Sequence, residues 1–224
     1  MQIGDLESMA IGRALAAQSH ELKNVLAIVG EAAGLMEDLL ELYRTQRPEG
    51  AIPAEMAARM DKALGSITAQ VERGHRMTTD LNMLAHMPDR RLEHTLPDVD
   101  LGQITALACR FLERSARRCQ VTLVPPPCVG VTVPADPQRC MAACMVLLEW
   151  LYLPLEPGGV IAPQPVALDP ALDIDAMADL GSMPEGTARL LGAAGLSLEP
   201  CGGRLRLTLK GVSNDQRHTR VACG

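Results

Sequence analysis

Residues 6–43 contain no proline, and their apolar side chains return every three or four positions. That spacing describes a single long amphipathic α-helix. With heptad position a set at Leu15, the later a positions fall on Leu22, Val29, Met36 and Tyr43. The d positions are then Gln18, Val25, Ala32 and Leu39, while Leu26, Ala33 and Leu40 at e widen the stripe. A stripe of this width suits a helix in a bundle better than a two-stranded seam. At about 1.5 Å per residue, the rod is roughly 60 Å long.

Arg47-Pro48-Glu49-Gly50 breaks the helix, and Pro53 suits the first turn of a second one. Met56, Met60, Leu64, Ile67, Val71, Thr78, Leu81 and Ala85 then step at helical spacing up to Met87, where Pro88 stops the run. Two long helices with a short connection form an antiparallel hairpin. A lone hairpin leaves much of its apolar stripe in water, so two should pair into a four-helix bundle, and a homodimer is expected.

Past the linker at 89–98 the pattern changes. Residues 101–118 read as a helix, 120–124 as a strand, Pro125-Pro126-Pro127 as a turn and 129–133 as a second strand. Residues 136–153 form another helix, with Cys140, Met141, Cys144, Leu147, Leu148 and Leu151 on its apolar face. The stretch 154–186 is rich in Pro, Gly and Asp, with strands expected near 159–161 and 165–168. Residues 187–196 read as helix and 204–209 as strand. The fold class is therefore α+β: a long antiparallel helical hairpin forming a dimeric four-helix bundle, followed by a small α/β sandwich. Domains are expected at 1–95 and 96–212, with a frayed tail at 213–224.

Composition narrows the function. With 21 basic and 27 acidic residues the net charge is −6, which argues against nucleic acid as partner. Tyr43, Phe111, Trp150 and Tyr152 are the only aromatics, too few to stack bases. The seven cysteines include no C-x-x-C pair and are odd in number, which favours neither a zinc site nor a closed disulfide framework. Cys140 and Cys144, one turn apart, read as small buried residues. There is no signal-peptide pattern and no apolar run of about 18 residues, so no membrane contact and a cytoplasmic location are expected.

One residue breaks the pattern of a passive bundle. His20 falls at heptad position f, opposite the apolar stripe, within Ser19-His20-Glu21-Leu22-Lys23-Asn24. Asn24 lies one turn on and faces the same way. Lys23, Ala27, Gly30, Glu31 and Gly34 continue that side of the rod. Each helical glycine costs about 1 kcal/mol against alanine. Either the surface is kept small so that another protein can approach closely, or the glycines are merely tolerated. His75 lies close to the second helix's stripe and reads as a core-edge residue; His86 and His94 flank a helix end, and His218 is in the tail.

Ser-His-Glu-Leu-Lys-Asn in a long helix, followed by a second long helix, resembles the dimerisation and phosphoacceptor hairpin of bacterial sensor histidine kinases. The resemblance covers about residues 5–95. It implies that His20 carries a phosphoryl group and that Glu21 serves as hydrogen-bond acceptor and base. It further implies that Asn24 orients water during dephosphorylation. The chemistry is intelligible in itself. A neutral imidazole has a free lone pair near pH 7, and a carboxylate holding the other ring N–H raises its nucleophilicity.

In that family the hairpin precedes an ATP-binding α/β sandwich, and residues 100–210 resemble a shortened one. Val99-Asp100-Leu101 resembles the start of its first helix, and Asp136-Pro137-Gln138-Arg139 the start of the helix that carries a magnesium-binding asparagine. The helix, turn and strand through Cys201-Gly202-Gly203-Arg204-Leu205 resemble its last elements. The nucleotide chemistry is missing, however. The turn that should present asparagine spans 146–151, with Trp150 in the expected place, and an indole, which has no oxygen, cannot replace an oxygen ligand. No Asp-x-Gly-x-Gly stands in 154–186; Asp179-Leu180-Gly181-Ser182-Met183 is its only shadow, and no P-loop replaces it.

The chain thus resembles the dimeric histidine phosphotransferases of two-component relays. The expected partners are response-regulator receiver domains, with input from another protein. No cofactor is expected on this chain, and Mg2+ is expected on the receiver. A divergent ATP-dependent kinase is one alternative, and a non-enzymatic dimeric scaffold or kinase regulator is another. Retention of His20, Glu21 and Asn24 together speaks against the scaffold.

Overall fold

The computed structural model describes residues 2–46, 52–85, 96–175 and 180–210. The 47–50 break, Met87, Pro88, most of the linker, Asp179, the tail, and His86, His94 and His218 lie outside them. The chain divides into two compact units, one formed by Leu15–Ala85 and the other by Met1–Ala14 with His86–Gly224.

In the first unit, α1 (Ile3–Gln46) supplies its residues from Leu15 onward and α2 (Ala54–Ala85) the remainder. The Pro53 carbonyl accepts the Ala57 N–H at 3.0 Å, which places Pro53 just before the helix instead of in its first turn. A Cβ added to Gly74 would lie 3.3 Å from the Val25 side chain. Val25 and Gly74 each stand roughly 30 Å, at 1.5 Å per residue, from the helix ends that the connection joins. The helices are therefore antiparallel.

On α1 the heptad frame holds in the main: Gln18, Val25 and Leu39 at d are buried, and Val29, Met36 and Tyr43 at a are half-buried, but Leu15 at a and Leu26 at e, both expected on the stripe, are exposed. The stripe expected on α2 is kept at Met56, Met60, Ile67 and Leu81, which are half-buried, and lost elsewhere. Ala63, Met77, Asp80 and Leu84 face inward, whereas Leu64, Val71, Thr78 and Ala85 lie exposed. His75 is exposed, which corrects its reading as a core-edge residue.

In the second unit, β1 (Asp98–Asp100) runs straight into α3 (Leu101–Arg118), followed by β2 (Thr122–Leu123) and β3 (Thr132–Pro134). Next come α4 (Pro137–Tyr152), β4 (Val160–Ile161), β5 (Gln164–Pro165) and β6 (Ala171–Asp175). The order closes with α5 (Glu185–Ala193), β7 (Leu196–Cys201) and β8 (Arg204–Leu209). β5, β6, β8 and β7 form, in that order, an antiparallel sheet, while β1 pairs with β3 and β2 runs parallel to β4.

Leu172, Ile174, Leu207 and Leu209 of the sheet are buried, as are Leu107, Met141, Leu147 and Leu148 of the helices. This is the apolar layer of an α/β sandwich. The expected helical face of α4 is buried throughout. Several elements depart from expectation: the helix expected at 187–196 runs from Glu185 to Ala193, and Leu196 already opens β7, because Gly195 turns the chain at a positive φ of 74°. β2 is shorter than 120–124 because Gln120 takes a positive φ of 57°, and β3 starts at Thr132 because Val129 and Gly130 turn back toward Asp100. β6 was hidden in the loop-like stretch. Its Asp173 accepts two hydrogen bonds, at 2.7 and 2.9 Å, from Arg206 directly across the ladder.

Asp100 ties this unit together. Its side chain caps α3 at Gln103 N–H (3.1 Å) and also accepts from Val129 (3.1 Å) and Gly130 (2.9 Å). Burial pushes its carboxyl up, but the hydrogen bonds from Gly130, Val129, Gln103 and Gly102 outweigh this and hold it below the usual carboxylate range. A group depressed in the folded state stabilises above its unfolded pKa, and that contribution disappears as pH falls through the folded value. Asp100→Asn should therefore cost about 2 kcal/mol at neutral pH and flatten the stability profile below about pH 4. Denaturant titrations of both proteins across pH 2–7 check this; parallel acid limbs would show that other carboxylates dominate.

The first fourteen residues of α1 belong to the same unit. Glu7 accepts from Arg139 Nε at 2.5 Å, Arg13 donates to Glu149 at 2.8 Å, and Ala10 and Ala14 are buried.

Candidate functional site

The proline-free heptads of α1 fix where each candidate side chain points. His20 at position f is exposed on the outer face, and Asn24, one turn on, is exposed beside it. Lys23, Ala27, Gly30 and Glu31 are also exposed, and Gly34 is half-buried. A Cβ at Gly30 or Gly34 would meet nothing within 4 Å among the described residues. Packing inside this chain therefore does not demand glycine at either position.

Glu21 differs from its neighbours. It occupies heptad position g, at the flank of the hairpin, and is half-buried. There its carboxylate forms an ion pair with Arg73 of α2. Arg73 takes the corresponding flank of the partner helix, where an antiparallel seam brings g against g. The sequence carries this signal only once the register between the helices is known, so local motif reading passed over Arg73. The residue that follows His20 is thus paired across the hairpin with Arg73.

The polar seam near this pair is unusual for a bundle core. Gln18, one turn before Glu21, is buried, and its Oε1 has no hydrogen-bond partner among the described residues; Asp80 of α2 is buried as well. Apolar residues at these positions would pack more simply.

In the second unit, Val146 and Trp150 are half-buried on α4. Glu149, between these positions in the helical turn, is paired with Arg13. The thiols carry no evident chemistry. Burial pushes Cys109 up to about 12 and Cys144 to about 11, and it raises Cys140 as well, so all three stay protonated at neutral pH. Cys140 donates to the Ala194 carbonyl at 3.5 Å, and Cys144 lies 3.6 Å from Thr105 Oγ1. They are packing residues of the helical layer.

No family model matches the chain, and no curated protein matches it. Among solved structures it is similar to the cytoplasmic segment of the histidine kinase QseC, at 11% identity and a TM-score of 0.40, covering 67% of this chain and 94% of that one. It is similar to the Acinetobacter baumannii histidine kinase AdeS at 15% identity and a TM-score of 0.39, covering 87% and 98% respectively. It is also similar to a bacterial phosphotransferase at 14% identity and a TM-score of 0.36, covering 92% and 96%. At these identities and scores the overlap carries no argument about activity.

Proposed function

We propose that this chain is a dimeric histidine phosphotransfer protein of a two-component relay. His20 accepts a phosphoryl group from the aspartate of one receiver domain and returns it to another. The observation that carries this reading is the placement of His20: exposed at position f of a long helix, with Asn24 on the same face and an ion-paired carboxylate next in sequence. A ring nitrogen of neutral His20 attacks phosphorus in line, the N–P bond forms as the aspartyl O–P bond breaks, and the receiver's carboxylate leaves. Mg2+ on the receiver would neutralise the phosphoryl oxygens.

Among the described residues, no helix is long and apolar enough to cross a membrane. The small, exposed surface past His20 suits close approach by a folded partner. The reading is tested by offering the purified protein a panel of phosphorylated receiver domains and looking for acid-labile label. Absence of transfer from every receiver would favour the scaffold reading.

The homodimer is part of this proposal, because Leu26, Leu64 and Val71 are 63%, 47% and 56% exposed along one flank of the hairpin. A contiguous apolar flank of this kind calls for a partner surface. Light scattering at micromolar concentration should give the mass of two chains, and Leu26→Asp with Val71→Asp should shift it toward one. A monomeric wild-type protein would contradict the bundle.

The nucleotide prediction follows from α4. With Trp150 in the expected magnesium position and no Asp-x-Gly-x-Gly turn, titration with Mg2+ and ATP should give no binding heat at physiological nucleotide concentration. A micromolar dissociation constant, or label entering from ATP, would revive the autokinase.

A further inference from the structure

The ion pair between Glu21 and Arg73 joins α1 to α2 one residue past His20 in the sequence. Both side chains are partly exposed, at 18% and 37%, and a pair so wetted adds little to stability. Its position gives it a different consequence. The phosphoryl group arriving at His20 is dianionic, and an unpaired carboxylate one residue away would repel it as it approached. Glu21 instead meets a guanidinium, whose planar fork also restricts where the carboxylate can sit.

We propose that Arg73 is a positioning residue for phosphoryl acceptance at His20, holding the Glu21 carboxylate in place and cancelling its charge against the incoming group. The proposal rests on the reading of His20 as acceptor. As the N–P bond forms and the aspartyl O–P bond breaks, the imidazole becomes cationic and keeps the proton on its other ring nitrogen. A fixed Glu21 stabilises that cation, while Arg73 prevents the same carboxylate from opposing the phosphoryl oxygens. Arg73 touches neither reactant and acts through Glu21.

Three variants test this: Arg73→Ala, Arg73→Lys, and Arg73→Ala combined with Glu21→Gln. Single-turnover transfer from a phosphorylated receiver is measured over a range of receiver concentrations, and the ring nitrogens of His20 are followed by NMR with 15N-labelled histidine. Arg73→Ala should slow transfer at saturating receiver by about 10- to 100-fold, with receiver affinity unchanged and most of the rate restored in Arg73→Lys. In the Glu21→Gln background the same change should alter the rate less than about twofold, because the group Arg73 acts on is gone. Equal slowing in both backgrounds, or a loss of rate that tracks a loss of melting temperature without rescue by lysine, would overturn the role. The two readings fail separately. If the wild-type protein takes no label, His20 is not the acceptor, and the NMR signals still decide about Arg73. A shift of the His20 ring nitrogens in Arg73→Ala that vanishes with Glu21→Gln supports the coupling, and no shift refutes it.

Discussion

Replacing His20 by alanine should abolish the proposed phosphoryl acceptance while leaving the fold and its melting temperature almost unchanged. The side chain is exposed at position f, and surface substitutions of this kind stay within about 0.5 kcal/mol. The loss of label must therefore reflect the loss of the nucleophile and not of the fold. Glu21→Gln keeps the shape but removes the charge, so transfer should slow by about 10²–10⁴-fold without vanishing. Asn24→Ala should leave acceptance in place and change only the lifetime of a phosphorylated receiver bound to the protein. Filter-based label transfer, paired with thermal melts of each variant, separates these outcomes. Unfolding of His20→Ala would mean that the histidine is structural and the heptad frame misplaced.

The largest stability effect is expected in the second unit, at Gly102. A Cβ there would stand 2.3 Å from the Pro127 carbonyl oxygen and 2.8 Å from the Val129 nitrogen. Both neighbours are backbone, so no side chain can swing aside. The 125–130 loop would have to move, and moving it pulls Val129 and Gly130 away from the Asp100 carboxylate. Gly102→Ala should cost about 3 kcal/mol, since overpacking and the loss of two charge-assisted hydrogen bonds act together. Urea unfolding of the purified variant measures this. A change under about 0.5 kcal/mol would show that the loop yields freely.

Regular periodicity made some elements legible and misled elsewhere. α1, α3 and α4 follow from spacing and caps. Asp100 and Asp136 accept from the N–H groups of Gln103 and Arg139, as helix-capping carboxylates do. On α2 the spacing put Leu64 and Thr78 on the stripe, yet the inner seam uses Ala63 and Met77, each one residue earlier. β6 could not be read locally, because Asp173 and Asp175 suit a strand only when Arg206 and Arg204 stand opposite them. That pairing joins residues more than 28 positions apart and has no local signature.

The same limit applies at the site. His20, Asn24 and their face were visible from the heptad phase alone, since position f is defined by its own helix. Arg73 was not, because its relation to Glu21 depends on the register between two helices joined through a break. The polar character of the seam at Gln18 could be read from the sequence, but the burial of Asp80 beneath the hairpin could not. Each miss concerns what a second element brings to the first.

The most direct test of the phosphotransfer reading is to incubate the wild-type protein with a labelled phosphorylated receiver domain and locate the label by mass spectrometry at neutral pH. The account predicts an acid-labile phosphoryl group on His20 that can be chased onto a second, unphosphorylated receiver. Label on another residue, or transfer that persists in His20→Ala, would contradict it.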